Sequence, residues 1–271
     1  MPRSDAVRHR SASTPTCGTQ TDPLPQIRGL VEQFLEFAYP AACAVCEGPC
    51  EGREVCAACT DQMHELEWDA ACGRCAMPVK QWDAPCPFCK GRGIYPYQKI
   101  VRLGRFVEPL KELVHHMKYH GRWGLGEQLA DWLWEQQRVK DLLESADVIV
   151  PVPLHRLRQI ERGYNQAEVL ARRLGRRADR PVVRPAVRLR HTPSQTQQTS
   201  QVKRHENLRG AFGLRHGGRI AGKRVVVIDD VMTTGATLQA LGRVLKAAEP
   251  ASMSAIVIAV ADPRGRGFQA V

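Results

Sequence analysis

The chain has 271 residues, with 39 Lys and Arg against 28 Asp and Glu, so its formal net charge is 39 − 28 = +11. That length can bury a full-sized core and still leave a second, smaller module. No stretch approaches the roughly 18–20 apolar residues that cross a bilayer. The first 25 residues carry Ser, Thr, Pro and Arg without the apolar core of a secretory signal. A cytoplasmic protein is expected, and peripheral contact with the inner face of a membrane remains compatible.

Residues 1–25 read as a disordered tail. Ile27, Leu30, Val31, Phe34, Leu35 and Ala38 then recur at helical spacing and predict an amphipathic helix over 26–39, read as packing surface. Residues 40–92 form a cysteine module. Nine of the ten cysteines fall between Cys43 and Cys89, and eight make four Cys-x-x-Cys pairs: Cys43/Cys46, Cys56/Cys59, Cys72/Cys75 and Cys86/Cys89. Each pair can place two thiolates on one metal, and two pairs complete a tetrahedral site. Disulfides are disfavoured in the expected compartment, and a redox role explains one pair but not four in series. Two structural zinc ribbons are therefore expected, first pair with second and third with fourth, although spacing also allows a crossed arrangement. Four thiolates leave zinc no open position, and so short a segment with few large apolar side chains needs the metal to fold. Cys17 and Cys50 are left over.

Residues 93–271 read as one larger domain. Ile100–Phe106 predicts a strand, and Leu110, Leu113, Val114 and Met117 a helix; a second helix is expected from about Leu125 to Leu143. Asp147–Val152 is a buried strand that Pro151-Val152-Pro153 ends. The run from His155 to Gln166 reads as a basic loop entering a helix that ends near Gly175. A strand–loop–helix unit of this kind aims a helix N-terminus at an anion. From Pro151 to Arg224 there are 18 Lys and Arg against 4 Asp and Glu, or 18 − 4 = +14, so the rest of the chain nets 11 − 14 = −3. The basicity is regional and favours an anionic ligand at this segment. Val182–Arg190 predicts another strand. Residues 192–201 contain only Thr, Pro, Ser and Gln and read as an exposed loop of the kind that closes over a ligand.

Val225-Val226-Val227-Ile228 is a buried parallel strand, with Asp229 and Asp230 expected where it emerges. A five-residue turn, Thr233-Thr234-Gly235-Ala236-Thr237, then leads into a helix over 238–248. Ligands of open α/β sheets bind beyond the carboxyl ends of strands, and a Gly- and hydroxyl-rich turn before a helix presents N–H groups to a phosphate. A Walker-type site is a poor fit, since no Gly-x-x-x-x-Gly-Lys-[Ser/Thr] occurs. Ser254–Ala261 is a last apolar strand, and the alternation of strands with helices predicts a parallel sheet.

The 225–237 run resembles the phosphoribosyl pyrophosphate signature of type I phosphoribosyltransferases. That likeness implies that Asp229 and Asp230, the catalytic pair, hold the ribose 2- and 3-hydroxyls, while Thr233, Thr234, Gly235, Ala236 and Thr237 wrap the 5-phosphate. Other segments narrow the resemblance to the competence protein F (ComF) family over about residues 27–262. They are the ribbons, Met117-Lys118-Tyr119, Pro151-Val152-Pro153-Leu154, Arg162-Gly163-Tyr164-Asn165-Gln166 and the Thr192…Gln195…Arg204…Asn207…Ala211-Phe212 pattern. The Gln/Thr-rich stretch after Gln195 and the Arg264-Gly265-Arg266-Gly267 tail depart from it.

The implied fold is α/β, a type I phosphoribosyltransferase-like parallel sheet with a small hood, preceded by the zinc-ribbon module. The implied role is binding of phosphoribosyl pyrophosphate, with magnesium, in natural transformation, where single-stranded DNA enters on the cytosolic side. Lys118, Arg156 and Arg162 would meet the pyrophosphate, and Arg190 and Arg204 would arrive with the loop. Expected partners are phosphoribosyl pyrophosphate, single-stranded DNA and proteins of the competence machinery. Two alternatives stay open: a non-catalytic single-stranded DNA module with phosphoribosyl pyrophosphate as effector, and a nucleobase salvage enzyme, which the ribbons disfavour. Only Tyr164 and Phe212 could stack bases in the basic segment, so strand binding would be electrostatic and salt-sensitive. The acceptor cannot be read from the residues.

Overall fold

The computed structural model describes residues 42–50, 53–65, 70–81, 85–190, 208 and 210–261. The expected tail, the helix over 26–39, Cys17, the 192–201 loop, Arg204 and the 264–267 tail lie outside the described residues.

In chain order the elements are α1 (Ala57–Glu65), β1 (Ile100–Arg105), α2 (Leu110–Tyr119), α3 (Gly124–Glu135), α4 (Gln137–Glu144), β2 (Val148–Pro151), α5 (Arg156–Arg162), α6 (Gln166–Ala178), β3 (Ala186–Arg188), β4 (Phe212–Leu214), β5 (Arg224–Met232), α7 (Ala236–Lys246) and β6 (Ser252–Val260). One four-stranded sheet runs β1-β6-β5-β2 with every pairing parallel, as the alternation predicts. β3 and β4 form a separate antiparallel ribbon.

The central strands are apolar on both faces because both faces are covered. Val226, Ile228, Ile256 and Ile258 pack with the apolar sides of α2, α3, α4 and α6. Their neighbours Val225, Val227, Ala255 and Val257 pack with Leu238, Leu241 and Leu245 of α7. Period-two alternation of the strand thus sorts a continuous Val/Ile run into two cores. Each fully buried aliphatic side chain contributes roughly 1.5–3 kcal/mol.

The cysteine module is built into both cores. Cys43, Cys59 and Met63 join the cluster on the α2–α3 side. Cys75, Met77 and Cys86 join the cluster on the α7 side. Polar ties reinforce the first contact: Arg122 Nε donates to Glu54 Oε2 at 2.6 Å and its NH2 to the Ala42 carbonyl at 2.5 Å. On the other side Tyr97 Oη donates to the Leu238 carbonyl at 2.9 Å.

Three expected elements differ. The helix over 125–143 is two helices, broken at Gln136, whose backbone is extended (φ −74°, ψ 123°). Its side-chain amide donates to the Leu103 carbonyl at 3.2 Å, so the break ties the helical layer to β1. The strand over 182–190 shrinks to β3, with Val182 making only an isolated bridge to Ile149. Pro181 and Pro185 interrupt the segment, and proline gives no N–H to a ladder. The basic loop of 155–166 is mostly helical: α5 begins at Arg156 with His155 Nδ1 accepting from the Leu157 N–H. It ends at Gly163, whose left-handed φ of 78° favours glycine.

Gly242 lies in α7 against the chain that leaves the second cysteine group. A Cβ there would sit 2.5 Å from Pro96 Cδ and 3.0 Å from Tyr97 Cε2. Helix propensity alone would reward Gly242→Ala by about 1 kcal/mol, whereas overpacking against a rigid ring costs about 1–3 kcal/mol. The net expectation is a thermal midpoint lower by a few degrees in a melting experiment. A higher midpoint would show that the 94–97 segment gives way.

Candidate functional site

The site is made by a mismatch in strand length. β2 stops at the Pro151–Ile228 pair, and the Val152 N–H makes one more bond to the Ile228 carbonyl at 2.9 Å. Asn165 then draws β2's exit aside, its Nδ2 donating to the Val152 carbonyl at 3.0 Å while its Oδ1 caps α6 at the Ala167 N–H. β5 continues beside β6 as far as the Met232–Val260 pair. Asp229 and Asp230 therefore lie inside β5 and not beyond its end as expected, in the part whose β2 flank is open.

Successive residues of a strand point to opposite faces. Asp230 reaches toward α2, where Lys118 Nζ stands 3.0 Å from its Oδ2. Asp229 belongs to the α7 side, where its charge is felt by the buried Tyr97. Burial, and then the neighbouring Asp230 charge, push the Asp229 carboxyl up to about 7; the Asp230 N–H, Lys118 and Arg188 oppose that rise. The Asp230 N–H donates to Asp229 Oδ1 at 3.0 Å.

The turn after β5 is shorter than expected. α7 begins at Ala236, so Ala236 and Thr237 form its first turn, and only 233–235 is loop. Gly235 caps the helix with φ 76°, and a Cβ there would lie 2.4 Å from Ile94 Cδ1. Both the backbone conformation and the close approach thus demand glycine. Thr234 Oγ1 accepts from the Ala236 N–H at 3.4 Å. The remaining first-turn N–H groups point toward the helix start, the geometry that suits an oxyanion.

Of the expected cations, Lys118 reaches the carboxylates directly. Arg162 lies 5.1 Å above the Tyr119 ring and donates from NH1 to Gln166 Oε1 at 3.3 Å. The Tyr164 hydroxyl donates to the Met117 carbonyl, fixing this arm against the chain that carries Lys118. Arg156 faces a different cleft, lined also by Arg188. Arg190 is exposed just past β3. Two arginines escaped the sequence reading. Burial, followed by the charge of Arg162, lowers the Arg158 guanidinium below its usual value; burial, followed by the charge of Arg158, does the same to Arg188. Both also feel Asp230. Arg158 and Arg162 are four apart on α5, a spacing that reading 155–166 as loop could not use. Arg188 lies over Phe212 at 5.4 Å, the partner it faces across the β3–β4 ribbon. Among the described residues, Lys118 pairs with Asp230, and Arg158 and Arg188 lie within electrostatic reach of that carboxylate, with Arg162 beside Arg158 on the same helix.

The eight paired cysteines gather into two groups, Cys43/Cys46/Cys56/Cys59 and Cys72/Cys75/Cys86/Cys89, the sulfurs of each within 4.8 Å of one another. The sequential pairing is the one found. Sulfur–sulfur distances of 3.8 Å for Cys46–Cys56, 3.7 Å for Cys72–Cys89 and 3.6 Å for Cys75–Cys86 match the roughly 3.8 Å edge of a tetrahedron with 2.3 Å zinc–sulfur bonds. The Val45 and Cys56 N–H groups donate to Cys43 Sγ at 3.4 and 3.3 Å. Against the effect of burial, these and the Cys46 N–H draw the Cys43 thiol down to about 6. Burial and crowding push Cys59 and Cys75 the other way. Four thiolates this close need a cation among them, and either group could hold a zinc ion. Cys50 is buried beside the first group, outside its four sulfurs.

Comparison with known proteins agrees with this geometry. The family model for the phosphoribosyl transferase domain matches residues 134–269. Competence protein F of Haemophilus influenzae is 31% identical over 197 residues, covering 71% of this chain and 84% of that protein. DNA utilization protein YhgH of Salmonella typhimurium is 29% identical over 218 residues, covering 77% of this chain and 92% of that protein. Competence protein ComFC of Bacillus subtilis is 36% identical over 114 residues, covering 41% and 43%.

The raised Asp229 carboxyl sets a pH dependence. An acid whose folded value lies above its unfolded one favours folding when protonated, and that advantage disappears as pH rises from about 4 through 7. Thermal unfolding followed from pH 5 to 8 should show Asp229→Asn gaining on the parent by about 2–4 °C, with the gain complete above pH 7. A difference that does not change with pH contradicts the half-buried, charge-crowded environment of Asp229.

Proposed function

The chain belongs to the competence protein F family of phosphoribosyl transferase domain proteins, and from that premise we propose that it binds phosphoribosyl pyrophosphate and transfers the phosphoribosyl group to an acceptor during the handling of incoming DNA. The observation that carries this reading is the open strand end itself: two carboxylates beside a glycine-capped helix start, with Lys118 on Asp230 and Arg158 and Arg188 within electrostatic reach.

Asp229 and Asp230 accept hydrogen bonds from the ribose hydroxyls and orient the sugar. The N–H groups and hydroxyls of Thr233–Thr237 hold the 5-phosphate. Lys118 exchanges Asp230 for the pyrophosphate, which Arg158, Arg162 and Arg188 also neutralise. Magnesium accompanies the donor and, when bound, spreads the pyrophosphate charge. The acceptor's lone pair forms the new bond to the anomeric carbon as the carbon–oxygen bond to pyrophosphate breaks with its electron pair on the leaving oxygen; the acceptor's proton passes to solvent. Positive charge builds on the sugar in between, so positioning and fixed charge supply the catalysis. Zinc in both cysteine groups is structural.

Labelled phosphoribosyl pyrophosphate, magnesium and a panel of free bases, nucleotides and single-stranded DNA test this reading through pyrophosphate release. Acceptor-dependent release is expected, reduced about 100-fold or more in Asp229→Asn or Asp230→Asn. The second reading, a DNA-binding module with the donor as effector, draws support from the +14 balance of residues 151–224; it predicts tight donor and strand binding with no release. No donor binding would overturn both.

Metal analysis of purified protein should find two zinc ions per chain, and one in Cys75→Ser, with a lower melting midpoint. A zinc content of zero in the parent protein contradicts the assignment.

A further inference from the structure

At the β2 exit lies a cleft of about 1050 Å³, bounded also by the start of α6, the β3 strand and the chain after β4. Arg156, Arg172, Arg184, Arg188, Arg215 and Arg219 line it, with His155 and His216; the one carboxylate in its lining is Glu168. Among the described residues of the lining, six guanidinium groups stand against one carboxylate, and none of the cations is a lysine. Arginine's planar fork matches the paired oxygens of a phosphate, which a lysine ammonium meets only as a point charge.

The internal pairing points the same way. Glu168 takes Arg184 Nε on Oε2 at 3.0 Å and Arg172 Nε on Oε1 at 2.8 Å, with Arg184 NH2 also on Oε1. One small oxyanion thus already gathers two guanidinium forks from different elements and still leaves a net positive charge. Arg215 and His216 are held next to Arg184 by backbone bonds from their N–H groups to the Pro185 carbonyl, at 2.7 and 3.1 Å. Between these charges the lining includes Leu154, Leu189 and Tyr164, surfaces on which a flat apolar ring can rest.

The groove lies close to the donor site. Arg188 lines it, and its charge is felt by Asp229. Pro151, on its floor, pairs with Ile228, the residue before Asp229. We propose that this arginine cleft is the acceptor subsite, and that the acceptor is a phosphate-bearing nucleotide unit, free or at the end of a strand, and not an uncharged nucleobase. The proposal rests on the transferase reading above for its role, while the site itself stands on the cleft.

Calorimetric titration with thymidine, thymidine 5′-monophosphate and a 5′-phosphorylated thymidine dinucleotide tests it. Both phosphorylated probes should bind and thymidine should not. Arg184→Ala/Arg215→Ala should weaken the phosphorylated probes about 10- to 100-fold. Glu168→Gln, which removes the competing carboxylate, should strengthen them, and this gain cannot arise from misfolding. Equal binding of thymidine, or loss of nucleotide binding in Asp229→Asn with no effect of the cleft variants, would overturn the assignment. Phosphoribosyl pyrophosphate titrated into the same proteins separates the two claims, since failure of the donor to bind defeats the transferase reading and leaves the cleft result to be judged alone. Pyrophosphate release with the mononucleotide marks a free acceptor; release with the dinucleotide and longer strands only marks a strand end.

Discussion

The structure depends on β5 outrunning β2. From Val225 to Ile228 the strand is flanked on both sides and its side chains are aliphatic and buried. From Asp229 onward it keeps β6 and loses β2. A carboxylate in the fully flanked part would sit in a dry core at a cost of several kcal/mol; three residues further on it meets Lys118 and open space. Two prolines, Pro151 and Pro153, and the Asn165 side chain end β2 where they do, so the position of the acidic pair follows from where a neighbouring strand stops.

The cysteine module is more than an appendage to that frame. Ile94, just after the second cysteine group, lies where a side chain on Gly235 would otherwise be, and Tyr97 bonds to α7 at Leu238. The helix start that would receive a phosphate is thereby buttressed by residues next to a short segment that a metal on the second cysteine group would organise. In such segments metal affinity and folding free energy are the same quantity. The first group acts on the opposite face through Glu54 and Arg122, three residues beyond the α2 segment that carries Lys118 and Tyr119. Each ribbon thus stiffens one wall of the site.

Much of this was legible in the chain itself. Four Cys-x-x-Cys pairs in series, the Val/Ile run before Asp229 and the Thr-Thr-Gly turn each carry their geometry in local spacing, and the two cores follow from period two in β5 and β6. What sequence left hidden was non-local. Nothing in residues 125–143 signals a break, because Gln136 leaves the helix to bond the Leu103 carbonyl of another element. Arg188 looks like one of many surface arginines until the β3–β4 pairing lays it on Phe212. The helix α5 is hidden because its apolar residues, Leu157 and Ile160, are exposed, so its periodicity reports no core.

The charges of the site are arranged as substitutes for a ligand. Lys118 is held by Asp230, and Arg172 and Arg184 are held by Glu168, so at rest each carboxylate occupies cations that a phosphate could claim. Such pairs are worth little on a wet surface, but they keep guanidinium and ammonium groups in place, and a pre-placed donor loses less freedom when an oxyanion arrives. The two pairs differ in what displacement leaves behind. Releasing Lys118 frees Asp230 beside a sugar whose hydroxyls can satisfy it, whereas releasing the arginines leaves Glu168, 17% exposed, facing an anion. A single phosphate would therefore gain less in the arginine cleft than in the donor site, and the cleft favours ligands with phosphate charge to spread along several guanidinium groups at once.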